Sequence, residues 1–180
     1  IRQRRRGSVE PQGQGTDAQA RTIREGPMTP LDDRLTELEA KIASGERLNL
    51  FGITRESIPI VPGIYVWFNT KKTHPEYIGM AIGKRGLRQR IWNQHLNPIY
   101  LETRRSRRTK EDQGQLAHCV RHLGRLAIEK SAFRENLARS LGFAPGTETV
   151  CHIKEHFQLV LLPLEMMSDQ AIRKLEKMLI

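Results

Sequence analysis

Gly63-Ile64-Tyr65-Val66-Trp67-Phe68 and Glu76-Tyr77-Ile78-Gly79 decide how this chain is read. The first stretch is a run of β-branched and aromatic residues, which predicts a strand. Pro59 and Pro62 punctuate the approach to it. The second stretch predicts a shorter strand, and the polar segment from Asn69 to Pro75 predicts the loop between them, giving an antiparallel hairpin. Side chains alternate along a strand, so Tyr65 and Tyr77 are expected on one side of the sheet, close together. Taken alone, such a pair is ordinary cross-strand packing. Gly63 and Gly79 bracket the hairpin, and glycine is disfavoured inside strands, so each needs a reason. A close backbone approach to a phosphate is one such reason.

Outward from the hairpin, helices dominate the expectation. Thr29-Pro30 reads as a cap and first helical residue, with Leu35, Leu38 and Ile42 on one face and Gly45 as the stop. A helix is predicted over 85–96, with Leu87 and Ile91 four apart, followed by a polar, basic stretch over 101–112. Another helix is predicted through Leu116, Val120, Leu123 and Ala127. Ser131 is expected to cap a helix carrying Phe133, Leu137 and Leu141, stopped by Gly142. Ala144-Pro145-Gly146 reads as a turn, and a short helix around Val150 and Ile153 follows. Phe157 to Leu162 predicts a third strand, buried on both faces. Ser168 caps a final helix.

At 180 residues the chain is expected to hold one domain with a tail. The net charge is +10, which favours a polyanionic partner, nucleic acid before anionic membrane. Residues 1–27 contain no Leu, Phe, Tyr or Trp, and they carry six arginines against three acids. That composition predicts a disordered basic tail, and most of the positive charge still lies beyond it. Residues 28–58 read as an N-terminal helix and connector, and 59–180 as the main domain. No apolar run is long enough to span a bilayer and no signal peptide is visible. Two cysteines, Cys119 and Cys151, suggest no disulfide framework, so a cytoplasmic setting is expected.

The order Gly-Ile-Tyr, Tyr-Ile-Gly, arginine helix and late glutamate resembles the GIY-YIG nuclease family. Eleven residues separate the two tripeptides. The resemblance implies an α/β fold, a small three-stranded antiparallel sheet flanked by helices, here with a helical insertion over about 100–155. It implies a DNA endonuclease that needs Mg²⁺ or Mn²⁺ and hydrolyses phosphodiester bonds. In Leu87-Arg88-Gln89-Arg90-Ile91, the family frame selects Arg90 to clamp the scissile phosphate, and a guanidinium can grip two phosphate oxygens at once. The alternative for Arg90 is a solvated helix position. Tyr65 or Tyr77 would orient or deprotonate water, its phenolate favoured by metal and arginine. Glu176, in Arg173-Lys174-Leu175-Glu176, would be the metal ligand. Its spacing from Ile172 and Leu179 turns it towards the apolar stripe; otherwise it is an edge glutamate paired with Arg173 or Lys177.

Several positions depart from the family pattern. Gln94 stands four residues after Arg90, where a histidine or tyrosine is common, and His95 lies one further on. On a straight α-helix His95 would sit about 140° around from Arg90. Either Arg88, nearly eclipsed with His95, takes the larger role, or a distorted helix lets His95 reach in and relay a proton. Met80 occupies a position that is lysine in the excision-repair members, with Lys84 as a substitute. Family members often carry an asparagine shortly after the glutamate helix, so either the chain continues beyond Ile180 or the site lacks that residue.

Arg104, Arg105, Arg107 and Arg108 lie in a segment with five cations in eight residues, either a phosphate-contacting loop or a solvated charge run. Two further readings accompany the nuclease: a DNA-binding module of the same fold with impaired cleavage, and a protein whose pairs His118/His122 and His152/His156 hold structural zinc. A homodimer on DNA is one way to cut both strands.

Overall fold

The structure is a computed structural model that describes residues 30–115 and 118–180; the predicted tail over 1–27 and the Thr29 cap lie outside them. In chain order it contains α1 (Pro30–Ser44), β1 (Leu48–Asn49), β2 (Gly63–Asn69), β3 (Tyr77–Ala81) and α2 (Gly86–Arg90), which runs on into a π-helical turn at Ile91–His95. Then come β4 (Leu101–Glu102), a 3-10 turn at Arg105–Arg107, α3 (Lys110–Gly114), β5 (Val120–His122) and β6 (Arg125–Glu129). The chain closes with α4 (Ala132–Leu141), α5 (Thr147–His156), β7 (Phe157–Pro163) and α6 (Asp169–Leu179).

β2 is the centre of the fold because its sequence is apolar at nearly every position, as a strand covered on both faces requires. It pairs antiparallel with β3 on one side and β7 on the other, and the sheet order is β1-β7-β2-β3. Ile64, Val66 and Phe68 face α1 and α6, where they meet Leu38, Ile42, Ile172 and Leu175. Tyr65 and Trp67 face the other way, towards Leu87 and Ile91, Phe133 of α4 and Ile153 of α5. The register sets Tyr65 opposite Gly79 and Trp67 opposite Tyr77, so both tyrosines share one face, as alternation predicts.

The α/β class is as expected, and so are the helices capped by Ser131 and Ser168 and the left-handed stop at Gly142, φ 70°. Two expectations need correction. The main sheet has four strands, because Leu48 and Asn49 add a short edge beside β7. The insertion is not all helical: β4, β6 and β5 form a second antiparallel sheet within it. The described part of the helix expected through Leu116 to Ala127 is a β-hairpin turning at Leu123-Gly124, φ 47° and 74°. The apolar spacing there mimicked a helix. A glycine inside a helix costs about 1 kcal/mol, whereas a two-residue hairpin turn uses its positive φ.

Candidate active site

The feature that builds the site is the π-helical turn. Ile91 to His95 carries one extra residue, and the Leu96 N–H donates to the Ile91 carbonyl at 2.8 Å, five residues back. That extra residue returns His95 to the side of the helix that Arg90 occupies. Of the two arrangements open for His95, the distorted helix is the one present. Arg88 is engaged elsewhere: its guanidinium donates to the Ile58 and Glu56 carbonyls at 2.7 and 3.3 Å and staples the 56–58 loop to α2.

Four side chains form a continuous hydrogen-bonded row. Arg90 Nε donates to the Tyr65 hydroxyl at 3.2 Å. The Tyr65 hydroxyl meets His95 Nε2 at 2.8 Å, and His95 Nδ1 meets Ser131 Oγ at 2.8 Å. Arg90 can only donate, so the consistent polarity has Tyr65 donating to Nε2 and Nδ1–H donating to Ser131. Arg90 also donates to Gln94 Oε1 at 2.7 Å, which gives the departure at position 94 a use: it fixes the guanidinium. Tyr77 lies beside the row, its ring 6.3 Å from that of Tyr65 and stacked on it.

Burial divides the row into two layers. Tyr65 and His95 are 0% exposed, whereas Arg90 and Tyr77 are half-buried and reach solvent. Burial raises the Tyr65 pKa well above its usual value, outweighing the opposing pull of the Arg90 charge. Burial also holds the His95 pKa well below that of a free imidazole, and the charges of Arg90 and Arg134 push the same way. Tyr65 is therefore a neutral phenol and His95 a neutral imidazole. Arg90 pulls towards the Tyr65 phenolate, as expected, but burial outweighs that pull. The inner pair is sealed beneath Arg90, and Arg90 and Tyr77 form the half-exposed edge of the row.

A neutral buried histidine has a consequence for stability. The free imidazole titrates near 6.5, so below that pH the unfolded chain takes up a proton that folded His95 refuses. Stability is unaffected by this group above about pH 6.5 and falls as pH drops, by up to about 1.4 kcal/mol per pH unit. Urea midpoints at pH 7.5 and 5.5 are expected to separate more for the native chain than for His95→Asn.

Gly79 owes its place to this row rather than to a phosphate. A Cβ there would overlap the Tyr65 hydroxyl and lie 2.5 Å from its Cζ, so the phenol occupies the space a side chain would fill. Gly63 packs against β7 and α2, where a Cβ would lie 3.0 Å from Leu87 Cδ1. Gly79→Ala is expected to displace Tyr65 from His95 and to cost about 1–3 kcal/mol, read as a lower urea midpoint. Tyr65→Phe will not rescue it, because the clash includes ring carbon.

The remaining sequence candidates divide. Lys84, Arg105 and Arg107 are exposed and free to meet an anion, and Arg108 is half-buried. Arg104 is committed: it holds Glu102 through two parallel bonds at 2.9 and 2.7 Å, and that contact pulls the Glu102 pKa down to about 2. Glu176 is half-buried on α6, and among the described residues it pairs with neither Arg173 nor Lys177. Its helix packs on the sheet face opposite the Tyr65 row.

Among the described residues no group of three or more His, Cys, Asp or Glu side chains gathers as a metal centre. His118 and His122 do not share a helix, since His122 ends β5. His152 and His156 do, with rings 4.4 Å apart on α5.

Two residues of the site escaped the sequence reading. Ser131 was legible only as a helix cap, and it serves as one while also anchoring His95. Arg134 is fully buried and donates to the Gln94 and Asn97 carbonyls at 2.9 and 2.6 Å, bracketing the end of the π turn. It meets Glu129 in an ion pair at 2.6 Å whose closest atoms are not aligned as a hydrogen bond. Compared with known proteins, the chain matches no family model, no curated relative and no solved structure.

Proposed function

We propose that this chain is a metal-dependent DNA endonuclease of the GIY-YIG type. The observation that carries the reading is the Arg90–Tyr65–His95 row, assembled between the two tripeptide strands and the arginine helix with Arg90 turned to solvent. The adjacent antiparallel strands β7, β2 and β3 with flanking helices are compatible with that family's sheet, to which β1 adds a fourth strand. The net charge of +10 suits a phosphate backbone.

Arg90 binds the scissile phosphate and stabilises the charge that builds on it during in-line attack by water. Tyr65 and Gln94 hold its guanidinium in place. Tyr77, half-exposed, orients the attacking water. A proton leaving the water passes to solvent beside Tyr77, while neutral His95 holds Tyr65 against Arg90. Glu176 fits a hard, largely hydrated cation: it offers a half-buried carboxylate, and among the described residues it belongs to no cluster of three or more His, Cys, Asp or Glu side chains. Bound there, Mg²⁺ or Mn²⁺ would supply positive charge for the leaving oxygen. Both α2 and α6 pack against β3, the strand at the open edge of the sheet. A DNA strand lying along that edge would meet Arg90 from one face and Glu176 from the other. One such site cuts one strand, so double-strand cleavage would take two copies on DNA.

The second reading, a DNA-binding module without cleavage, draws on the placement of Glu176 across the sheet from the row. Incubation of supercoiled plasmid with the protein in Mg²⁺ or in EDTA separates the two. Nicking in Mg²⁺ alone is expected. Salt-sensitive binding without nicking, across varied plasmid sequences and both metals, would leave only the module.

A further inference from the structure

The hairpin β5–β6 ends in a feature that the fold itself does not account for. Its two-residue turn is Leu123-Gly124, both with positive φ, the geometry of a type I′ turn. Asn-Gly or Asp-Gly is the favoured pair there; a leucine is strained in the left-handed region. Among the described residues Leu123 is the sole non-glycine with positive φ. It is also 86% exposed, so it adds no packing to offset the strain. On either side stand Arg121 and Arg125, both exposed, and His122 sits opposite Arg125 in the register. β4 runs antiparallel to β6, so the chain leaving Glu102 heads towards this tip, and it carries the exposed Arg105 and Arg107.

We propose that this tip is a DNA wedge: Leu123 inserts between base pairs of duplex DNA while Arg121 and Arg125 hold the flanking phosphates. The proposal rests on the nuclease reading and names the substrate form, a duplex kinked and partly unstacked by the insertion. An apolar residue projected on a narrow ribbon and flanked by cations matches that target, since unstacked bases accept an apolar side chain and the phosphates on either side need positive charge. A purely solvated tip would gain from Asn at position 123. A protein partner would need a broader apolar surface than one leucine among arginines supplies.

Insertion unwinds DNA wherever it occurs, so the test needs no target sequence. Plasmid is relaxed by a metal-independent type IB topoisomerase in EDTA, which also keeps cleavage off, with increasing amounts of the full chain. The expected result is a shift in linking number. Leu123→Asn should abolish that shift and weaken duplex binding about tenfold, the net of one lost leucine burial over unstacking. The same substitution should raise the melting temperature, because it suits the turn, and that excludes misfolding as the cause. Arg121→Ala with Arg125→Ala should lower the slope of log affinity against log salt by about 2. Binding and linking number unchanged in Leu123→Asn would overturn the wedge and leave the nuclease untouched. So would duplex binding by the native chain with no linking-number shift. Absence of any duplex binding would overturn both, and Mg²⁺-dependent nicking with no shift would overturn the wedge alone.

Discussion

Arg90→Ala is expected to slow DNA nicking at least about 100-fold while leaving the fold in place. The magnitude is that of removing one preorganised charge aimed at a developing oxyanion. Arg90 is half-buried, and its loss removes one donor to Tyr65 and one to Gln94. Tyr65 keeps His95 as a partner, which limits the stability cost to about 1 kcal/mol. Arg90→Lys should restore little, because an ammonium cannot reach Tyr65, Gln94 and a phosphate with one planar group. Single-turnover rates beside urea midpoints check this. A variant that cuts at the native rate removes Arg90 from the site.

Arg134→Ala is expected to have the largest effect on stability, a loss of about 3–5 kcal/mol, the range for breaking a buried ion pair from one side. Arg134 is fully buried against Glu129, and burial pushes the Glu129 pKa up and the Arg134 pKa down. Removing the guanidinium strands a buried carboxylate that keeps the Gly146 N–H at 2.8 Å but loses its counter-charge. It also frees the Gln94 and Asn97 carbonyls at the end of the π turn. The double change Glu129→Leu with Arg134→Met should recover part of the stability, because no charge is left buried. It should not recover cleavage, because the turn that places His95 has lost its clamp. Denaturant unfolding and nicking rates, measured on the same three proteins, separate the two effects.

That clamp explains which parts of the molecule could be read from sequence. The β2–β3 hairpin, α4, β7 and α6 announce themselves through local signals: β-branched runs, serine caps and a glycine stop. The shared face of Tyr65 and Tyr77 follows from strand alternation once the register pairs Trp67 with Tyr77. His95 could not be settled that way, because its direction depends on a π turn held by Arg134, 39 positions on, in an element of the insertion. Ser131 carried a cap signal that masked a second role. The hairpin at Leu123-Gly124 was read as helix because Leu116, Val120, Leu123 and Ala127 repeat at helical spacing; Gly124 was the signal against it. The sequence likewise shows the arginine near Tyr65 but not the burial that outweighs its pull.

In the proposed nuclease, Glu176 and the Arg90 row form one metal-dependent site, although they approach β3 from opposite faces of the sheet. This is tested most directly by plasmid nicking over a titration of Mg²⁺ and of Mn²⁺, with Glu176→Gln beside the native chain and DNA affinity measured in EDTA. Glu176→Gln is expected to keep its melting temperature and its DNA affinity, to lose nicking at ordinary metal concentrations, and to shift any residual activity to much higher metal. Native nicking rates with an unchanged metal dependence in Glu176→Gln would contradict it.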